Sequence, residues 1–112
     1  MKVDFLFSYG TLQYEAVQIS TIGKTLKGYC DQLTGYRMGE LKIQDPHVIA
    51  TSGKDIHNIL VHTGNPMDEI SGTVFAITQM ELEQIDAYEV ADYMRTRVTL
   101  ASGRSAWVYV AR

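Results

Sequence analysis

Cysteine occurs once in these 112 residues, at Cys30, so no disulfide can form within the chain. That usage fits a reducing compartment. Proline occurs only twice, and no stretch is biased toward serine, glycine or one charge. Linkers, internal repeats and a second domain are therefore not expected, and residues 1–112 read as one domain. No apolar run approaches the length of a membrane span. The opening Met1-Lys2-Val3-Asp4-Phe5-Leu6-Phe7 resembles the start of a signal peptide, but Asp4 and Ser8-Tyr9-Gly10 interrupt it before a signal core is complete. Basic residues form no cluster and the net charge is -3, which argues against nucleic acid as a partner. His47, His57 and His62 lack zinc-ligand spacing and have one cysteine to join, so no metal site is expected. Cys30 has no base beside it in the sequence and reads as a buried apolar residue rather than a nucleophile. A cytoplasmic protein without membrane contact is the expectation.

What is present is an ordinary globular composition, 46% hydrophobic, enough for one core. Val3, Phe5, Phe7 and Tyr9 alternate with Asp4, Leu6 and Ser8, a strand pattern with its phenylalanines on one face. Gly10 stops that strand, and a short helix through Ala16, Val17 and Ile19 follows, ending near Gly23. From Leu26 to Thr63 the chain is strand-like in pieces cut by glycines and Pro46. Val48-Ile49-Ala50 and Ile59-Leu60-Val61 read as strands around a Gly53-Lys54 turn, and Gly64-Asn65-Pro66 reads as a loop. The strand from Ile70 to Ile77 carries Gly72, a sign of a bulge or a close backbone approach. Thr78 and Glu81 form a capping box that starts a helix. A hairpin closes the chain, from Tyr93–Leu100 through Ser102-Gly103-Arg104 to Ala106–Val110. In its first strand, Met94 and Val98 should face the core, opposite Tyr93, Arg95 and Arg97. The sum is an α+β domain with two short helices, its sheet curling into a small mixed β-barrel.

Two places could carry chemistry. On the capped helix, Leu82, Ile85 and Glu89 fall in one stripe at ~100° per residue, which puts a carboxylate at the end of an apolar face. Asp86 lies one turn back, and its charge would add to desolvation in raising the Glu89 pKa toward the range of a general acid/base. The other reading has the helix end there, with Glu89 turned to solvent or paired with Arg95 or Arg97. The second place is Tyr9-Gly10-Thr11-Leu12. A strand ending in glycine and running into a helical turn leaves backbone N–H groups converging, a nest for a carboxylate or phosphate. It is not a P-loop, since no G-K-[ST] follows. Trp107 and Tyr109 read as core, whereas Tyr88 and Tyr93 flank Glu89 and could line a pocket with it.

Phe7-Ser8-Tyr9-Gly10-Thr11-Leu12, Gly72-Thr73-Val74-Phe75, Leu82-x-x-Ile85-Asp86-x-Tyr88-Glu89, Tyr93-x-Arg95-x-x-Val98 and Ala106-Trp107-Val108-Tyr109 together resemble the gamma-glutamyl cyclotransferase-like family. That family includes the avirulence-induced plant proteins and the gamma-glutamylamine cyclotransferases. The likeness covers nearly the whole chain and implies a small β-barrel with flanking helices. It also implies gamma-glutamyl binding by Tyr9, Gly10, Thr11 and Leu12, and Glu89 as catalytic acid/base. From the strand alternation, Arg95 beside Tyr93 should lie near the pocket rim or pair with a helix carboxylate. The implied reaction converts a small-molecule gamma-glutamyl substrate into 5-oxoproline and an amine, with no metal or cofactor. The chain ends after the Trp107 strand, without the extension that covers the pocket in some longer members. Two rival readings keep the fold: a binding module for a small gamma-glutamyl or carboxylate metabolite, and an interaction domain working through exposed strands.

Overall fold

The computed structural model describes residues 3–112. Its elements run β1 (Val3–Ser8), a 3-10 turn at Thr11–Gln13, α1 (Glu15–Ile22), β2 (Gly28–Thr34), β3 (Tyr36–Lys42) and α2 (Pro46–Ser52), then β4 (Ile56–His62), β5 (Glu69–Thr78), α3 (Gln79–Tyr88), β6 (Tyr93–Thr99) and β7 (Ser105–Ala111). Five strands form one sheet in the order β2-β5-β1-β7-β6, and β3 pairs with β4 alone. β1 is the middle strand, antiparallel to β5 from Val3↔Thr78 to Ser8↔Thr73 and parallel to β7 at Leu6↔Trp107. A central strand is covered on both faces. Leu6 accordingly enters one core cluster, with Val17, Leu82 and Ile85 of the helices, while Phe7 and Tyr9 enter another with Leu60, Val74 and Val108. The phenylalanine face is thus only half of the packing of this strand. Gly72 marks a close approach: a Cβ there would stand 2.5 Å from the Ser8 carbonyl oxygen and 2.7 Å from the Phe7 ring.

The sheet does not close into a barrel. At Gly35 the chain turns out of the β2 ladder, its N–H bonding the Asp68 carbonyl and its own carbonyl accepting from Thr63 and Gly64. β3 therefore leaves the sheet and packs with β4 as a separate ribbon. The tip of the β6–β7 hairpin touches the far edge strand, through Ala101 N–H to the Gln32 carbonyl (2.8 Å) and the Ser102 hydroxyl to Asp31 (2.5 Å), but no ladder forms there. The curl expected from the sequence is present without the closure.

There are three helices rather than two, because Val48-Ile49-Ala50 is helical. Asp45 caps α2 by accepting from the His47 N–H at 2.9 Å, Pro46 occupies the first turn, and Gly53 ends it at φ 74. These end signals outweigh the strand preference of two β-branched residues. The Thr78–Glu81 capping box is made in both directions, at 3.2 and 2.9 Å, and buries Leu82 and Ile85 against the sheet. Two burial expectations fail at sheet edges. Cys30 lies exposed on β2, an outer strand with no second neighbour. On β6, the other outer strand, Val98 packs against the second core as expected, whereas Met94 remains 40% exposed.

Candidate active site

The end of β1, the loop after it, the start of β4, the end of α3 and the β6–β7 pair converge on one cavity of about 30 Å³. That is room for one or two water molecules. Its lining includes Tyr9, Gly10, Thr11 and Leu12 together with Glu89, Tyr93, Tyr109, His57 and Asn58. The two places singled out in the sequence are therefore brought to one cleft, from positions almost eighty residues apart.

The loop is held from three sides. Thr11 Oγ1 and the Tyr88 hydroxyl share a 2.9 Å hydrogen bond. Gln18, buried in α1, donates to the Leu12 carbonyl and accepts from the Leu26 N–H, each at 2.8 Å. Gln13 donates to the Gly10 carbonyl at 3.3 Å and accepts from Thr73 on β5 at 2.9 Å. The 3-10 turn begins with Gln13 N–H bonded to the Gly10 carbonyl. The N–H groups of Thr11 and Leu12, at the open end of that turn, are left over by its geometry.

Glu89 ends α3 as its C-cap, with φ -70 and ψ 137, its N–H bonded to the Ile85 carbonyl. The helix ends where one reading of the sequence put it, yet the side chain meets neither arginine. Arg95 pairs with Asp86 at 3.4 Å, and Arg97 grips Asp4 through two bonds of 2.9 and 3.0 Å while stacking on Trp107. Burial, and then the charge of Asp86, push the Glu89 carboxyl up to about 7. Asp86 itself accepts a 2.5 Å hydrogen bond from the Tyr109 hydroxyl.

Phenols complete the lining. Tyr9 donates to the Tyr109 carbonyl at 2.5 Å, and Tyr93 donates to the Asn58 carbonyl at 2.7 Å. Burial, reinforced by neighbouring groups including Glu89, raises the pKa of Tyr9, Tyr93 and Tyr109, so these hydroxyls stay protonated and serve as neutral donors. Tyr93 lines the cavity with the loop. Arg95, expected at the pocket rim or paired with a helix carboxylate, pairs with Asp86 of α3 and borders a neighbouring hollow that also touches Glu89, Tyr93 and Tyr109. His57, Asn58, Tyr109 and Gln18 went unread in the sequence as parts of this site. The sequence around His57 raises only metal ligation, and that around Tyr109 only a place in the core. Among the described residues no three His, Cys, Asp or Glu side chains group to hold a metal ion, and no helix is long and apolar enough to cross a membrane.

Solved structures share the architecture. An Arabidopsis thaliana protein known from its solution structure is 21% identical, with TM-score 0.74 over 99% of this chain and 70% of its own. A second Arabidopsis thaliana protein is 19% identical, with TM-score 0.70 over 99% of this chain, which spans 63% of that protein's length. A structure described as gamma-glutamyl cyclotransferase is 12% identical, with TM-score 0.72 over 99% of this chain and 68% of its own. At these identities the likeness is one of fold. No curated protein matches the sequence. The family model described as "Gamma-glutamyl cyclotransferase, AIG2-like" matches residues 6–112, nearly the full length, and on that match the chain belongs to the gamma-glutamyl cyclotransferase, AIG2-like family.

Proposed function

We propose that this cleft widens beyond its present volume of about 30 Å³ to bind a gamma-glutamyl group and cyclises it to 5-oxoproline, with Glu89 as general acid/base. The observation that carries the reading is the meeting of the Gly10–Leu12 backbone and the Glu89 carboxyl on one cavity, with that carboxyl pushed up to about 7 by burial and Asp86. A base of that strength can take a proton from an α-ammonium at neutral pH and still return it. The freed amine attacks the γ-carbonyl of its own chain. On becoming a lactam N–H, the α-ammonium nitrogen sheds two protons. The departing nitrogen gains two and leaves as an ammonium, Glu89 carrying the protons between them. The developing oxyanion is met by backbone N–H groups of the loop. Ring closure brings its own proximity advantage, so the protein's work is to hold the glutamyl chain folded.

The test is release of 5-oxoproline from a panel of gamma-glutamyl compounds by the wild type and by Glu89→Gln. Glutamine keeps the shape of the side chain and cannot accept the proton. Turnover should fall by ~10²–10⁴ with the fold intact. Undiminished release would remove Glu89 from the mechanism. Release by neither protein, with a gamma-glutamyl ligand still bound, would leave a binding module.

A further inference from the structure

Beside the Glu89 cavity lies a second one of about 80 Å³, lined by Tyr9, Gly10, Thr11, Gln13, Tyr14, Lys54, Ile56, His57 and Asn58. The two share Tyr9, Gly10, Thr11, His57 and Asn58, so they adjoin along the substrate loop. Their charges differ. The first holds Glu89. The second contains no carboxylate, although acidic residues outnumber basic ones in the chain by 13 to 10.

The charge in the second cavity is Lys54, which follows the glycine that ends α2. Its ammonium donates to the Tyr14 hydroxyl at 2.6 Å and sits 4.9 Å from the centre of that ring. An exposed lysine usually wanders through its rotamers, but this one is held on the Tyr14 hydroxyl at the mouth of the cavity. None of the salt bridges among the described residues involves it. Burial, and the nearby Lys54 charge, push the His57 imidazole down, so His57 is neutral and Lys54 is the standing positive charge.

We propose that Lys54 binds the α-carboxylate of the substrate, in the cavity between Tyr14 and the Gly10–Thr11 loop. The proposal rests on the gamma-glutamyl reading above and deepens it. In a gamma-glutamyl group the α-ammonium and α-carboxylate share one carbon. If the ammonium faces Glu89, the carboxylate falls within a few ångströms of it, toward the adjoining cavity. One cavity then offers a base to the nitrogen and the next a cation to the carboxylate. The loop N–H groups, lying between, are left for the γ-carbonyl oxygen. Lys54 is thus a positioning and selectivity residue: it distinguishes a glutamyl group with a free α-carboxylate from one whose α-carboxylate is blocked, as in a chain continuing through that carbon.

The test uses γ-glutamylethylamide, whose one carboxylate is the α-carboxylate, and the same compound with that group amidated. Binding is measured calorimetrically in the Glu89→Gln background, so that no ligand is consumed, with and without Lys54→Met or Lys54→Arg. Methionine keeps the stem of this exposed side chain and removes the charge. Lys54→Met should weaken the carboxylate ligand by about tenfold or more and leave the amidated one unchanged, and Lys54→Arg should recover most of the loss. Added salt should weaken wild-type Lys54 binding more than Lys54→Met binding. Equal affinities with and without Lys54, or equal affinities for the two ligands, would overturn the assignment. So would failure of the carboxylate ligand to bind. Release of 5-oxoproline by the Glu89 protein is read in parallel. Release without Lys54 dependence sinks this proposal alone, whereas Lys54-dependent binding without release sinks the cyclotransferase reading and leaves the carboxylate site.

Discussion

Of the two carboxyl groups one turn apart at the end of α3, Asp86 has its charge answered by Arg95 and by the Tyr109 hydroxyl. Glu89, pushed up to about 7 by burial and by Asp86, has no such answer. A carboxyl raised in this way keeps its proton in the folded state after the unfolded chain has released it. Its contribution to stability is full below the ordinary value of 4.5 and is lost as pH rises through about 7. Glu89→Gln has no proton to lose, so relative to the wild type it should gain roughly 1–3 kcal/mol between about pH 5 and about pH 8. Urea midpoints of the two proteins at each pH measure this, and a constant difference would mean that Glu89 is charged without penalty. Glu89 was legible in the sequence because the cause is local: a helical stripe and an acid one turn away. His57, Asn58 and Tyr109 were not legible as site residues. They reach the cleft from β4 and β7, and nothing in the sequence around them says which strand comes to lie beside which.

Among the elements, α2 shows how short segments mislead. Its seven residues include two β-branched side chains in succession, and only its ends, Asp45-Pro46 and Gly53, declare a helix. Those ends also prepare the site. Ser52 in its last turn bonds His57 Nε2 at 2.9 Å, and the left-handed Gly53, at φ 74, redirects the chain so that Lys54 reaches Tyr14. A Cβ at Gly53 would meet no neighbouring atom, so Gly53→Ala isolates the backbone cost. It should destabilise the protein by about 1–2 kcal/mol, read as a lower melting temperature. An unchanged melting temperature would show that the turn tolerates an ordinary residue. The capped α3, by contrast, was readable from its first residue, since box and apolar stripe agree.

At the scale of the whole molecule, the sequence supported many short strands and a curled sheet but not the break in its ladder. The turn at Gly35 sends β3 out of the sheet, and the contact between Ala101 and Gln32 stops at one backbone bond. Closure depends on the register of strands far apart in sequence, which alternation within each strand leaves open. The same long-range assembly gathers Tyr9 from the loop after β1, Tyr88 from α3, Tyr93 from β6 and Tyr109 from β7, and burial raises the pKa of each. Four of the seven tyrosines in the chain thereby become an optical indicator that needs no label. In an alkaline titration followed by ultraviolet absorbance, the phenolate band of these four should appear only together with the loss of native circular dichroism. Their colour change would therefore time the opening of the cleft itself, and four phenolates appearing in a protein still folded would mean that water already reaches the phenols.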